Sequence, residues 1–299
     1  MQQAASTLEI PNSPSLPIAA SADEGTLAAA VPPRGRSVIR VRHEMRLRLL
    51  TVLQVERVSA RLVRVKIGGE QLRGFASPGF DDHVKVFFLP PGEAFTLLPA
   101  LGPAGPVLAD GATRPAMRDY TPHHHDPEAL SLQLDFALHG AGPATEWAAR
   151  AQVGDTLMIG GPRGSFLVGT GFDRHFLMGD EAALPAIRRR VAELPPGADV
   201  TILAEVDGPA DAEPFRSVAN VRTRWVYRSG LHRRGASCLV EALQDQPLPV
   251  SDYHAWIACE SSDAKAVRAA LLARGADRAS LRAAGYWRRG AAASHDVLD

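Results

Sequence analysis

The chain has 299 residues, 45% hydrophobic and 22% charged, and its 33 basic side chains are matched by 33 acidic ones. That length suits two globular domains, and zero net charge excludes binding to nucleic acid or membrane surfaces through bulk electrostatics. Two cysteines, Cys238 and Cys259, make neither a disulfide framework nor a four-ligand metal site, and without a signal-like or membrane-length apolar run the expected compartment is the reduced cytoplasm.

In chain order, residues 1–36 are rich in Ala, Pro and Ser and read as a disordered tail. The basic cluster from Arg34 to Arg48 reads as a solvated lead-in to the first strand. From Leu47 the pattern is β: Leu49, Thr51, Leu53 and Val55 alternate, Leu62–Ile67 is β-branched with period two, and Asp81–Phe88 runs into Pro90-Pro91-Gly92. Further short strands are expected at Arg118–Thr121, Leu132–His139 and Thr156–Gly160, with a helix near Trp147. Five or six such strands predict an antiparallel β-barrel over residues 37–168. Past a boundary at 167–173 the pattern alternates. Strands at Arg174–Asp180, Val200–Val206, Val221–Tyr227 and Tyr253–Cys259 are interleaved with helices at Ala182–Leu194, Ala236–Gln244 and Ser262–Gly275. Alternation of this kind predicts an α/β domain with a parallel sheet over residues 173–299.

Several stretches carry chemistry. If residues 118–121 are extended, Arg118 and Tyr120 share one face, a guanidinium fork for phosphate beside an aromatic surface for a ring or ribose. The plain alternative is a surface ion pair of Arg118 with Asp119 and a core Tyr120. Leu132–His139 runs into Gly140-Ala141-Gly142-Pro143-Ala144-Thr145, where backbone N–H groups can approach a phosphate at a helix start. Gly160–Ser165 reads equally as a tight turn between domains. Gly179–Pro185 lies at a strand-to-helix junction, where open α/β sheets bind ligands, although its acidic start and missing GxGxxG glycines weaken the phosphate argument. His123, His124 and His125 do not converge on one ion if consecutive strand residues alternate faces, so no metal is expected there.

Arg118–Thr121, Asp81–Lys85, His139–Ala148, Gly179–Ile187 and Gly285–Gly290 occur together in this chain. Their arrangement resembles the ferredoxin–NADP reductase superfamily and, within it, the siderophore-interacting protein family, over roughly residues 45–290. The resemblance implies FAD-binding ferric-siderophore reductases of the bacterial cytoplasm. It places Arg118, Tyr120 and Thr121 on the FAD strand, with Arg118 near the pyrophosphate and Thr121 near the reactive part of the isoalloxazine. It implies flavin or adenosine contacts for Asp135 and His139, and FAD-phosphate contacts for Gly142, Ala144 and Thr145. Trp147 fits a ligand contact and a helix-face core residue equally well. Gly179, Asp180, Glu181 and Ala183 become the nicotinamide-nucleotide site, for NADPH or NADH, and Tyr286 and Trp287 either cover the flavin or simply pack. The chain departs from the family at His123, where Arg is usual, so a phosphate grip there depends on imidazole protonation. Cys259 stands where Gly is usual, which puts close approach of a ligand backbone there in doubt.

The function expected is hydride transfer from NAD(P)H to FAD, then electron delivery to Fe(III) held by a siderophore, with no catalytic side chain because the chemistry belongs to the cofactor. The alternatives are a general flavin-dependent reductase serving a ferredoxin or other acceptor, and a siderophore-binding protein without cofactor.

Overall fold

A computed structural model describes residues 31–102, 105–138, 142–228, 238–249, 252–289 and 296–298. The expected tail over 1–36 falls mostly outside them. The first unit comprises β1 (Val38–Arg42), β2 (Leu47–Ser59), β3 (Leu62–Gly68), β4 (Val84–Phe88), β5 (Ala100–Gly102), β6 (Gly105–Val107), β7 (Ala116–Tyr120), β8 (His124–Asp126), β9 (Ser131–Ala137), α1 (Pro143–Arg150), β10 (Thr156–Gly160) and β11 (Gly164–Val168). Seven of these strands form one antiparallel sheet in the order β7-β4-β10-β2-β3-β9-β8. Only Thr121, Pro122 and His123 join β7 to β8, so the two edge strands must lie near each other and the sheet curls. The expected barrel is therefore an open, curled half-barrel. Alternation in β3 turns Val63, Val65 and Ile67 inward, where they meet Leu132, Leu134 and Phe136 of β9 and Trp147 of α1. The lead-in at Arg34–Arg48 is not merely solvated: it contains β1, which pairs antiparallel with β11.

The second unit holds β12 (Arg174–Gly179), α2 (Leu184–Glu193), β13 (Asp199–Val206), β14 (Asn220–Tyr227), α3 (Cys238–Gln244), β15 (Tyr253–Glu260), α4 (Ser261–Ala273), β16 (Leu281–Trp287) and β17 (Asp296–Leu298). Its sheet runs β14-β13-β12-β15-β16-β17, parallel except for β17. Strand order reverses between β12 and β15, which makes the crevice beyond their carboxyl ends the natural ligand site. Helix α2 begins two residues later than the sequence pattern suggests. A turn closed by Ala183 N–H on Asp180 O precedes it, and Pro185 occupies its first turn, where a missing N–H is harmless.

A loop of the first unit, Ser77–Asp82, enters the second. Phe80 is 2% exposed and belongs to the apolar cluster of Phe172, Leu177 and Trp256, meeting the Trp256 ring edge-on at 5.3 Å. Asp81 Oδ2 accepts from Trp256 Nε1 at 3.1 Å and from Arg282 Nε at 2.8 Å. Asp82 Oδ2 shapes the loop, accepting from Ser77 Oγ at 3.0 Å, Gly79 N at 3.0 Å and Ser165 Oγ at 2.6 Å.

Burial gives this core two opposed responses to pH. Desolvation, with Asp81 alongside, pushes the Asp82 carboxyl from 3.8 up to about 7. An acid raised this way adds stability at low pH that is lost as pH rises from 3.8 through about 7. His175 and His254, register partners on β12 and β15, are 1% and 0% exposed. Burial depresses both, His175 to about 3. Their contribution is present above 6.5 and is lost as pH falls below it. Urea unfolding should therefore show Asp82→Asn losing less stability than wild type as pH rises toward 7, and His175→Leu losing less as pH falls from 6.5, by up to about 1.4 kcal/mol per pH unit in each case. Parallel stability curves for wild type and either variant would contradict the corresponding assignment.

Candidate functional site

Strand β7 supplies the first half of the site. Antiparallel pairing sets Asp119 opposite Lys85, and the two form an ion pair at 2.8 Å. Asp119 is thus occupied on one face, while Arg118 lies on the other. Arg118 Nη1 donates to Met117 O at 2.7 Å, and its guanidinium makes no carboxylate contact among the described residues. Tyr120 leans on Phe136, with ring centroids 4.4 Å apart, and burial raises its hydroxyl pKa. Thr121 is buried just past the strand, against the Tyr286 hydroxyl of β16.

The histidines that follow diverge. His123 turns inward, its Nδ1 3.6 Å from Asp135 Oδ2, while His124 is exposed and His125 packs edge-on against Phe75 at 4.9 Å. Asp135 on β9 receives both arms of Arg64, at 2.7 and 2.8 Å. Burial pushes this carboxyl up, but Arg64 and His123 outweigh it and hold Asp135 at about 2. His139, Gly140 and Ala141 lie outside the described residues. Gly142 enters α1 in extended backbone, its carbonyl accepting from Glu146 N at 2.8 Å, and no side chain caps the helix. Ala144 and Thr145 stand half-buried in that first turn. Trp147 does not join them: it is buried in the half-barrel core, 5.3 Å from Phe136 and 5.9 Å from Phe88.

These groups fit a dinucleotide. Arg118 keeps donors for an anion, and the start of α1 presents uncapped N–H groups. Gly160–Ser165 is a turn into β11 and carries Ser165 to Asp82.

The second half lies at the strand-order reversal. Gly179 is required by close packing, since a Cβ there would strike the Ala183 methyl and stand 2.5 Å from Ala258 O. Asp180 is buried and faces inward, accepting from Trp287 Nε1 at 2.7 Å, Glu260 N at 3.1 Å and Ala182 N at 3.0 Å. Burial raises its pKa. Its side chain therefore braces the turn from inside. Glu181 instead reaches Arg228, at the end of β14, which also meets Glu205 at 3.3 Å. Burial pushes the Cys259 thiol up, so this sulfur is held as an unreactive thiol.

Between the halves is a cavity of about 200 Å³, lined by Arg61, Ala137 and Leu138 of the half-barrel and by Glu181, Ala182, Arg228 and Trp287 of the α/β unit. Arg61 and Arg228 were not legible as site residues, because each simply flanks a strand in sequence. Neither were Arg189 and Arg282, whose partners are remote in the chain.

A curled antiparallel sheet is thus followed by a 3-2-1-4-5 parallel sheet, with a cavity at the seam. The cytochrome b5 reductase domain of Ulva prolifera nitrate reductase shares the fold, with TM-score 0.56 at 13% identity over 79% of this chain and 96% of that one. Residues 51–166 match the siderophore-interacting FAD-binding domain and residues 172–290 the siderophore-interacting protein domain. The chain therefore belongs to the siderophore-interacting protein family. It is 38% identical over 252 residues to the NADPH-dependent ferric-chelate reductase of Escherichia coli, covering 83% of this chain and 95% of that protein. It is 30% identical over 247 residues to ferric vibriobactin reductase ViuB of Vibrio cholerae, covering 81% and 90% respectively. The structure of a siderophore utilization protein from T. fusca superposes with TM-score 0.77 at 34% identity, over 88% of this chain and 99% of that one.

Because Gly179 is packed between Ala183 and Ala258, Gly179→Ala should lower stability by about 1–3 kcal/mol, the scale of overpacking in a tight core. Thermal unfolding checks this, and an unchanged Tm would contradict the packing role.

Proposed function

We propose that this chain is a reductase that uses NAD(P)H and FAD to reduce Fe(III) bound by a siderophore, in the cytoplasm. The observation that carries the reading is the seam, where Ala137 and Leu138 of the half-barrel and Glu181, Ala182 and Trp287 of the α/β unit line one cavity. Membership of the family and the names of its relatives support the substrate class.

Arg118 and the first turn of α1 at Gly142, Ala144 and Thr145 would hold the FAD pyrophosphate, with Tyr120, Thr121 and His123 beside it. Asp135, fixed by Arg64, stands 3.6 Å from His123 Nδ1. Gly179 to Ala183 and Trp287 would bound the nicotinamide nucleotide. Bound FAD supplies conversion of a two-electron hydride into single electrons. The side chains position the partners and exclude water, and none needs to act as acid or base. Reduction favours iron release because hard oxygen donors hold Fe(III) far more strongly than Fe(II). No helix among the described residues is long and apolar enough to cross a membrane.

Purified protein should carry a flavin spectrum that bleaches with NAD(P)H under anaerobic conditions and recovers on adding a ferric chelate. Arg118→Ala should weaken FAD binding by about 1.5–3 kcal/mol, the scale of a charge-assisted hydrogen bond. Full, tightly held FAD in that variant would remove Arg118 from the site. Bleaching without recovery by any ferric chelate would favour another acceptor, such as a ferredoxin, and a colourless protein that binds a siderophore would favour a carrier.

A further inference from the structure

The Ser77–Asp82 loop and the arginines that grip it lie outside the cofactor contacts, yet they join both halves of the site. Arg189 stands on α2, the helix that opens just after the Asp180–Ala183 turn. Its guanidinium donates to Ser77 Oγ at 2.9 Å, to Ser77 O, and to Pro122 O at 3.4 Å. Its Nε is held by Glu193 one turn along the helix at 2.7 Å. One side chain thus spans the α/β unit, the inserted loop and the residue directly after Thr121.

We infer that the Ser77–Asp82 loop is a docking key, and that Arg189 is the positioning residue that sets the nicotinamide side of the molecule against the Thr121–His123 segment. This rests on the reductase reading. Two further grips act on the same loop. Arg190, the next residue on α2, places Cζ 5.3 Å over the Phe80 ring, and Arg282 of β16 binds Asp81 while lying 3.3 Å over Phe166. The loop is already shaped by the three hydrogen bonds to Asp82 Oδ2, so the arginines close on a rigid feature. Two domains in one chain move relative to each other by default unless their interface forbids it. Hydride transfer needs the reacting atoms held within about 3–3.5 Å. A planar guanidinium with donors on separate nitrogens fixes both distance and angle, whereas a lysine ammonium in its place is a point charge on a flexible stem.

The test compares wild type with Arg189→Lys and Arg189→Ala, the lysine variant serving if the alanine variant does not fold. Calorimetry of the holoprotein should show one cooperative transition in wild type and separated transitions in the variants. FAD affinity, read by fluorescence on reconstituting apoprotein, should stay within about threefold, because Arg189 holds the Pro122 backbone carbonyl rather than a side chain assigned to the cofactor. Flavin reduction by NADPH should slow by about 10- to 100-fold while reduction by dithionite is unchanged. An unaltered NADPH rate would overturn the proposal, and so would parallel losses of FAD affinity, dithionite reduction and NADPH reduction, which mark a merely structural residue. If wild-type flavin accepts no hydride at all, the reductase reading fails. Calorimetry then decides the docking role alone, a single unsplit transition in the variants rejecting it.

Discussion

The Asp82 carboxylate takes three hydrogen bonds through one oxygen, and the loop it shapes joins two separately cored units into one molecule. Phe80 goes into the apolar core of the α/β unit, Asp81 binds Trp256 and Arg282, and Ser77 receives Arg189. Beside this insertion, Arg61 pairs with Asp207 at 2.8 Å and Ser59 Oγ donates to Asp211 Oδ1 at 3.1 Å across the same junction. A cavity formed from both units, as this one is, exists only while they stay docked. The seam is therefore a condition for the site rather than an accompaniment to it.

Charge is distributed unevenly across that site. On the half-barrel, Asp119 is occupied by Lys85 and Asp135 by Arg64, which leaves Arg118 and the start of α1 as open anion-binding groups. On the α/β side, Asp180, Glu181, Glu205 and Glu260 crowd the strand ends, and each is engaged by protein donors. A pyrophosphate is better received by the first surface than by the second. This agrees with the match of residues 51–166 to an FAD-binding domain.

Local pattern was enough to find the strand ending in Tyr120, the β-branched alternation of residues 62–67 and the βα order of the second unit. It also placed Gly179 at a strand end, although the reason for glycine there is a clash with Ala183 and Ala258 that no neighbouring residue reveals. What sequence did not show depends on contacts between remote positions. Strand β1 was hidden in a basic stretch because its partner lies beyond residue 163. The Asp81–Arg282 bond joins positions 201 apart, and Arg189 reaches Ser77 across 112. The resemblance assigned Asp180 to the nicotinamide-nucleotide turn, but only the structure shows its side chain engaged by the indole of Trp287 and the backbone of Glu260. Trp147 fitted two roles in sequence, and only the packing of Phe88 and Phe136 around it makes it core.

The central claim is that a hydride entering at the seam leaves as single electrons on iron. Electron stoichiometry tests this most directly. Under anaerobic conditions, limiting NADPH is added to the holoprotein with excess ferric siderophore and a chromogenic Fe(II) chelator, and both nucleotide oxidation and trapped Fe(II) are measured. The account predicts two Fe(II) for each NADPH oxidised, with no Fe(II) when the protein is omitted. Complete oxidation of NADPH without Fe(II) would contradict it.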